Sequence, residues 1–320
     1  MAIKMDKIKN IVSMSGGKDS TATALLALTL DVKNLSFVFA DTGHEHAQTY
    51  EYLDYLEQSL DVKIERVRAD FSEEINRRRK KLEEGDLDGW GESERLSAVE
   101  LLKPTGNPFL DLSLWKGRFP SSKARFCTYE LKVSPIFEKV FFPLLDQGHT
   151  IWSWQGVRRD ESLARRFVPE FEEVGGGLFN YRPIARWSAL DTFEAMKAYG
   201  IDPNPLYKQG MGRVGCMPCV NCNKSELREI GERFPDEVAR VREWERLVSS
   251  VSKHGSTTFF TATNDPTVNK NDAIHYSTHG IDRMIDWAKT ARGGREYNLL
   301  DVVEVESDNK ACSSAYGLCE

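Results

Sequence analysis

The sequence lacks any apolar run long enough to cross a membrane and any segment like a signal peptide at its start. A spanning helix needs about 20 apolar residues, and the most apolar stretches, residues 22–30 and 137–145, are well short of that. The first seven residues, MAIKMDK, contain no apolar core of the signal-peptide kind. We therefore expect a cytoplasmic protein without a membrane partner.

Basic residues are outnumbered by acidic ones. The 320 residues include 43 lysines and arginines against 49 aspartates and glutamates, which gives a net charge of −6. This balance excludes non-specific nucleic-acid binding by the whole surface but allows a local basic patch. A hydrophobic share of 40% is enough to bury a sizeable core. The length therefore suits one large α/β domain with an extension.

Short apolar runs alternate with amphipathic stretches near the start of the chain. The runs at 7–14, 35–40 and 62–67 are predicted strands, and the stretches at 21–30 and 45–60 are predicted helices. This order predicts a parallel sheet with right-handed crossovers. Further on, the sequence predicts a strand at 150–157, a loop at 104–122, and helices at 127–145, 188–199, 225–251 (broken near Pro235) and 280–290.

The segment between the first strand and the first helix carries the strongest functional signal. It reads Ser13, Met14, Ser15, Gly16, Gly17, Lys18, Asp19, Ser20 and Thr21. Its glycines let the backbone approach a ligand closely, and the helix N-terminus favours phosphate oxygens. The hydroxyl groups add donors, and Lys18 adds a positive charge. The segment therefore predicts a phosphate-binding loop, although its spacing differs from that of a Walker A loop.

Two acidic residues near this loop have alternative roles. Asp19 is expected either to help hold Mg²⁺ or to cap the helix. Asp41 follows the second strand, at the carboxyl edge where ligands bind in open α/β sheets. It is therefore a candidate for metal binding, a ribose contact or general acid catalysis. The structural alternative for Asp41 is a turn and the N-cap of the next helix.

Five sequence blocks occur in a fixed order across roughly residues 8–235. They are SGGKDS (15–20), DTGHE (41–45) with Thr49 and Tyr50, RFCTYELK (125–132), GVRRDES (156–162) and YRPI (181–184). Together they resemble the phosphoadenosine phosphosulfate (PAPS) reductase family of the PP-loop ATP pyrophosphatase superfamily. The resemblance implies an adenine nucleotide alpha-hydrolase-like, Rossmann-like fold with the nucleotide at the carboxyl edge of the sheet.

The same resemblance assigns residues to the site. It implies that Gly156 and Arg158 belong to it, with the Arg158 guanidinium on the anionic part of the substrate. The alternative for Arg158 is a surface ion pair with Asp160 or Glu161. The catalytic candidates are Lys18, Asp19, Asp41 and Arg158. The nucleotide-binding candidates are Ser13, Ser15, Gly16, Gly17, Lys18, Asp19, Ser20, Thr21, Asp41, Gly156 and Arg158.

Departures from the family pattern bear on the reaction. The resemblance implies that PAPS reductases have lost the lysine and aspartate of this loop, whereas this chain keeps Lys18 and Asp19. That favours ATP with Mg²⁺ and adenylyl transfer. The nearer likeness is to the sulfurtransferase subgroup of DNA phosphorothioation. It implies sulfur transfer to a nucleic acid or small molecule, with a sulfur-donor protein such as a cysteine desulfurase.

Two other functions stay open. A reductase acting on PAPS or adenylyl sulfate would use Cys319 as its nucleophile, although the tail at 311–320 differs from the reductase segment Glu-Cys-Gly-Leu-His. A nucleotide-binding module without turnover is the second alternative.

The chain changes character in two places. Residues 1–205 are predicted to form the nucleotide-binding domain, and residues 206–320 a helical, cysteine-containing extension with a flexible tail from Ser307. Within the first part, residues 77–81 read RRRKK. This basic run predicts either a solvated helix or an insertion that faces phosphate or nucleic acid.

Cysteine is concentrated in one motif, C-x2-C-x2-C, at Cys216, Cys219 and Cys222. Three such close thiolates repel one another unless a metal neutralises them, and the spacing equals that of a ferredoxin run. Cys127 begins a predicted helix and is the candidate for the fourth ligand, with Cys312 or Cys319 as substitutes. The motif favours a [4Fe–4S] cluster. Zn²⁺ on the same four residues, or unligated thiols, are the alternatives.

Anaerobic purification with metal analysis tests this prediction. We expect a brown protein with about four iron atoms per chain, and loss of the iron when the three cysteines of the motif are changed to serine. A colourless protein loaded with zinc would contradict the cluster.

Overall fold

The computed structural model describes residues 7–85, 89–261 and 274–290. It confirms the predicted α/β class. Six strands form one sheet in the order β3-β2-β1-β4-β6-β5. Neighbouring strands are parallel, except that β5 is antiparallel to β6. The strands are β1 (Ile8–Met14), β2 (Leu35–Ala40), β3 (Ile64–Val67), β4 (Thr150–Trp154), β5 (Phe171–Gly175) and β6 (Leu178–Tyr181).

Helices occupy most of the remaining described residues, and none of those described is long and apolar enough to span a bilayer. The sixth helix, α6, covers residues 126–146 and includes π-helical turns at Tyr129–Val133 and Phe137–Phe141. The others are α1 (Lys18–Thr29), α2 (Ala47–Leu60), α3 (Ser72–Glu84), α4 (Glu92–Leu101), α5 (Pro108–Lys116), α7 (Ala189–Ala198), α8 (Pro205–Lys208), α9 (Lys224–Arg233), α10 (Pro235–Ser250), α11 (Tyr276–His279) and α12 (Ile281–Lys289).

The described residues fall into two compact units. The first comprises residues 7–69 and 128–216, and the second comprises those of 70–127 and 217–290. This grouping differs from the predicted boundary between residues 205 and 206, because the insertion after β3 groups with the C-terminal helices. The assignment of independently folding domains stays a prediction. The predicted flexible tail and the substitute ligands Cys312 and Cys319 lie outside the described residues.

Alternate residues of the central strands supply two hydrophobic cores in the first unit. Val12, Phe37 and Trp154 belong to one core, whereas Ile11 and Val38 belong to the other. Because successive side chains of a strand point to opposite faces, a sheet buried on both faces needs such continuous apolar runs. This double burial fixes the strands and brings the ends of β1, β2 and β4 to one edge.

Two local predictions differ from the structure. Residues 104–122 are not a loop throughout, because they contain α5, which begins after the Asn107 N-cap with Pro108 in its first turn. Most of this helix is buried, so it lacks the two-faced pattern that signals a surface helix. The antiparallel β5–β6 hairpin was not predicted. Its strands are only five and four residues long.

The basic run of α3 is not simply a solvated face. Arg78 lies in the second unit and donates hydrogen bonds to the carbonyls of Leu114 (2.6 Å), Trp115 (2.7 Å) and Val251 (2.6 Å). Burial lowers the pKa of its guanidinium. Arg79, by contrast, makes an exposed ion pair with Glu83 one turn along the helix. Arg78 therefore donates hydrogen bonds to carbonyls at the C-terminal ends of α5 and α10, whereas Arg79 faces solvent.

These contacts predict a large difference between two adjacent arginines. Arg78→Ala should lower the free energy of unfolding by about 3 kcal/mol, because it removes three hydrogen bonds to carbonyls, of which only that of Leu114 is known to keep another donor, the Gly117 amide. Arg79→Ala should cost about 0.5 kcal/mol, the usual contribution of an exposed helical pair. Urea unfolding of both variants measures the difference, and equal losses would contradict the assigned role of Arg78.

Candidate nucleotide site

The loop between β1 and α1 turns sharply into the helix. Gly16 has a φ of +77°, a conformation that side chains disfavour. Gly17 is the N-cap of α1, and Lys18 is its first residue. The Asn204 amide donates a 3.1 Å hydrogen bond to the Gly16 carbonyl. The loop therefore presents its backbone at the N-terminus of a buried helix, as the sequence predicts.

The hydroxyl groups of this loop bond mainly to the loop itself. The Ser15 amide donates to the Ser20 hydroxyl (3.1 Å), and the Gly17 amide donates to the Ser15 hydroxyl (3.3 Å). The Thr21 hydroxyl donates to the Gly17 carbonyl at 2.9 Å, so in the structure it supports the helix. Ser13 is buried within β1, before the loop begins. Ser13 is thus part of the strand, and Thr21 stabilises the start of the helix, whereas Ser15 and Ser20 lie in the loop.

A buried ion pair joins this helix to the segment after β4. The Arg158 Nε donates to the Asp19 Oδ1 at 2.7 Å, and the two side chains are 4% and 0% exposed. Burial alone would lower the pKa of Arg158, but the carboxylates of Asp19 and Asp160 outweigh it and raise the pKa. Arg158 does bind Asp160, as the alternative held, but a surface pair is wrong because its main partner is the buried Asp19.

Gly156 is in direct contact with the backbone of α1. A Cβ atom at this position would lie 2.7 Å from the Asp19 carbonyl carbon and 2.8 Å from the Ser20 nitrogen. Only a residue without a side chain allows this approach, and its φ is not in the left-handed region. The Gly-x-Arg spacing of residues 156 and 158 thus brings β4 against the helix and the guanidinium onto its carboxylate.

The segment that follows is held by further ion pairs. Glu161 binds the buried Arg165, and burial raises the pKa of Glu161 even though Arg165 partly opposes this. Arg182, from the YRPI block, donates to the Gln155 side chain and to the Glu172 carboxylate. Through these contacts Arg182 stabilises the segment that follows β4.

Asp41 lies at the same edge, at the end of β2, as predicted. It accepts hydrogen bonds from the Tyr50 hydroxyl (2.7 Å) and the Gly43 amide (2.9 Å), and Arg68 lies 3.0 Å away. Burial, followed by the charges of Glu45 and Asp41, raises the pKa of Tyr50, so the phenol stays protonated. The turn expected at Asp41 is present. The N-cap of α2 is His46, so that part of the structural alternative is wrong.

Sequence reasoning missed two residues that touch the loop. The Lys18 amide donates to the Tyr207 hydroxyl at 2.8 Å, and the Lys18 Nζ lies 5.4 Å from the centre of the Tyr207 ring. Asn204 binds Gly16, as described above. Both residues are far from the loop in sequence, and only the Asn-Pro start of α8 could have drawn attention to this segment.

The predicted metal ligands belong to both units of the chain: Cys216 to the first, and Cys127, Cys219 and Cys222 to the second. Among the described residues, no group of three or more His, Cys, Asp or Glu side chains could hold a metal ion. All four cysteines are half-buried thiols. The Cys216 Sγ lies 3.8 Å from Glu45 and 3.6 Å from Thr42. The [4Fe–4S] assignment stays a prediction, and no chemical step is derived through it.

Comparison with known proteins finds one family and several proteins that this chain resembles. The profile of the phosphoadenosine phosphosulfate reductase domain matches residues 9–222. An uncharacterized 37.8 kDa protein from the gpa 5' region of Escherichia phage 186 is 50% identical, over 97% of this chain and 96% of its own length. An adenosine 5'-phosphosulfate reductase of Chelativorans sp. is 26% identical, over 64% of this chain and 66% of that enzyme.

Among solved structures, a PAPS reductase from Candida auris in a phosphate complex aligns with a TM-score of 0.41 and 16% identity. The alignment covers 67% of this chain and 82% of that one.

The contact of Gly156 with α1 predicts a steric effect on the site. Gly156→Ala should lower the free energy of unfolding by about 1–3 kcal/mol and weaken ATP binding by roughly tenfold, because the new methyl group meets backbone atoms that support the loop. Gly215→Ala is the matched control, since a Cβ there meets nothing within 4 Å. Urea unfolding measures the stability of the two variants, and calorimetric titration with ATP measures their affinity. Unchanged ATP binding in Gly156→Ala would contradict the close approach.

Proposed function

The chain belongs to the phosphoadenosine phosphosulfate reductase family, and on that premise we propose that it binds MgATP at residues 15–20 and transfers the adenylyl group to an acceptor. Pyrophosphate is the second product. The observation that carries the proposal is the complete Ser-Gly-Gly-Lys-Asp-Ser loop, with its Asp19 bound to Arg158 at the end of β4. Adenylylation would prepare the acceptor for sulfur transfer.

The loop has the donors that a polyphosphate requires. The amides at the start of α1 favour anionic oxygens, and the helix dipole adds to the attraction. Lys18 supplies a positive charge beside them, with its side chain only 9% exposed. A cation with so little access to water interacts strongly with a nearby phosphate. These features support binding of the β- and γ-phosphates at the loop.

We expect Arg158 to bind carboxylates of the protein and the ligand at the same time. Its Nε and Nη1 are bound to Asp19 and Asp160. Its Nη2 makes no hydrogen bond to any other described residue. That nitrogen is suited to a phosphate oxygen, while the bond to Asp19 holds the guanidinium plane in place.

The proposed reaction is an in-line displacement at the α-phosphorus. An acceptor oxygen forms a bond to this phosphorus, and the bond from phosphorus to the α–β bridging oxygen breaks. Pyrophosphate leaves with the electron pair, and the acceptor proton passes to solvent. Fixed donors aimed at the leaving group stabilise its growing charge without reorganising. Lys18 and the loop amides would do so here, with the magnesium ion of MgATP arriving as part of the substrate.

Asp41 would contact another part of the nucleotide. Its carboxylate is oriented by Tyr50 and Gly43 at the end of the neighbouring strand. In open α/β sheets, a carboxylate at this edge accepts hydrogen bonds from ribose hydroxyls. We therefore assign Asp41 to the ribose. In the second step a sulfur nucleophile, supplied by a donor protein, would displace AMP from the acceptor, and a nucleic acid is our candidate acceptor.

A second candidate is sulfonucleotide reduction, which the names of several relatives favour. A reductase would bind PAPS or adenylyl sulfate at the same edge and release sulfite with a thiol as reductant. Its predicted nucleophile, Cys319, lies outside the described residues. The intact Lys18–Asp19 pair favours ATP over this candidate.

We expect the protein with Mg²⁺ and ATP to release pyrophosphate and not phosphate, with water as the acceptor oxygen when no other acceptor is supplied. Lys18→Ala should lower kcat/KM for pyrophosphate release roughly 100-fold, because the charge on the departing group loses its cation. Lys33→Ala is the control, since Lys33 is an exposed lysine paired with Asp31. A coupled pyrophosphate assay measures both variants.

A sulfite assay run beside the pyrophosphate assay separates the candidates. Sulfite release from adenylyl sulfate with a dithiol, without pyrophosphate release from ATP, would favour the reductase. Equal activity in Lys18→Ala and Lys33→Ala would contradict the assigned site.

A further inference from the structure

The hydroxyl of Tyr207, a residue outside the loop, accepts a hydrogen bond from the Lys18 backbone amide, a donor that a bound phosphate would require. We infer that the Tyr207 hydroxyl competes with bound phosphate for the Lys18 amide, and thereby sets the affinity of the loop for polyphosphates. The inference rests on the proposed binding of a nucleotide at residues 15–20. It adds a specificity-determining residue that neither the loop motif nor the five sequence blocks contain.

Three backbone amides of the loop donate to side-chain hydroxyls. Those of Ser15 and Gly17 bind the hydroxyls of Ser20 and Ser15, within the loop itself. The Lys18 amide binds the hydroxyl of Tyr207, 189 positions away in sequence, in the shortest contact of the three at 2.8 Å. A phosphate approaching the start of α1 requires this amide, because it belongs to the first residue of the helix and has no intrahelical acceptor.

Other contacts hold Tyr207 in this position. Asn204 caps α8 by accepting from the Leu206 amide at 3.0 Å, and its own amide group donates to Gly16 in the loop. The Tyr207 ring packs edge-on against Phe193, with the ring centres 5.4 Å apart. Gln209, just after the helix, donates to Gln48 at 2.9 Å. These contacts bind the short helix α8 to α2 and to the loop. They therefore fix the Tyr207 hydroxyl beside the Lys18 amide.

Competition follows from the single hydrogen of the Lys18 amide. That hydrogen can point well at one acceptor only, either the phenol oxygen or a phosphate oxygen. Hydrogen bonds to charged acceptors are stronger than those to neutral ones, so a phosphate replaces the hydroxyl. The replacement costs the hydrogen bond that is lost. A polyphosphate, which gains contacts along the whole loop, overcomes this cost more readily than a single phosphate group does.

Tyr207→Phe tests the inference, because it removes the hydroxyl and keeps the ring beside Lys18 and Phe193. We expect ATP and inorganic tripolyphosphate to bind about fivefold more tightly, the factor for one net hydrogen bond of about 1 kcal/mol. Adenosine, which has no phosphate, should show no such gain. Tyr199→Phe is the control, since it removes a half-exposed hydroxyl that contacts Thr29 on the same unit.

Amide hydrogen exchange at Lys18 gives a second readout. Without nucleotide, exchange should be faster in Tyr207→Phe than in the wild type, and saturating ATP should make the two equal. Equal or weaker polyphosphate binding by the variant, or unchanged exchange at Lys18, would overturn the inference even if the wild type binds ATP. Failure of both proteins to bind any polyphosphate would overturn the proposed function together with this inference.

Discussion

The buried ion pair between Asp19 and Arg158 is the constraint on which the rest of the site depends. Two charges with almost no access to water are tolerated only when they satisfy each other, because an unpaired buried charge is very unfavourable. This requirement ties the first turn of α1 to the segment after β4. The contact is close enough that Gly156 must be a glycine. These contacts fix the backbone of the loop between β1 and α1, and the proposed electrostatic catalysis requires donors held in fixed positions.

Much of this arrangement could be predicted from the sequence, because it depends on local signals. Continuous apolar runs predicted β1, β2 and β4, and their parallel order placed Asp41 beside the loop. The predicted helix at 188–199 corresponds to α7, and both hydrogen bonds of a capping box between Ser188 and Asp191 mark its start. The break between α9 and α10 falls at Pro235, where a helix cannot continue unchanged.

The remainder could not be predicted because it depends on contacts between distant residues. Nothing in the run RRRKK distinguishes Arg78, which binds three carbonyls, from Arg79, which faces solvent. Nothing around Tyr207 indicates that its hydroxyl reaches Lys18. The motif C-x2-C-x2-C does not indicate that Cys216 lies beside Glu45 and Thr42, and the metal site that it predicts stays a prediction. Spacing alone shows which residues are near one another in sequence, and it does not show which side chains converge.

A crystal structure with a non-hydrolysable ATP analogue and Mg²⁺ would show whether the loop between β1 and α1 binds a polyphosphate. We expect the β- and γ-phosphates at the amides of residues 16–18, with Arg158 still bound to Asp19 and its Nη2 on a phosphate oxygen. A nucleotide bound elsewhere, or phosphates that leave the loop amides untouched, would contradict this expectation.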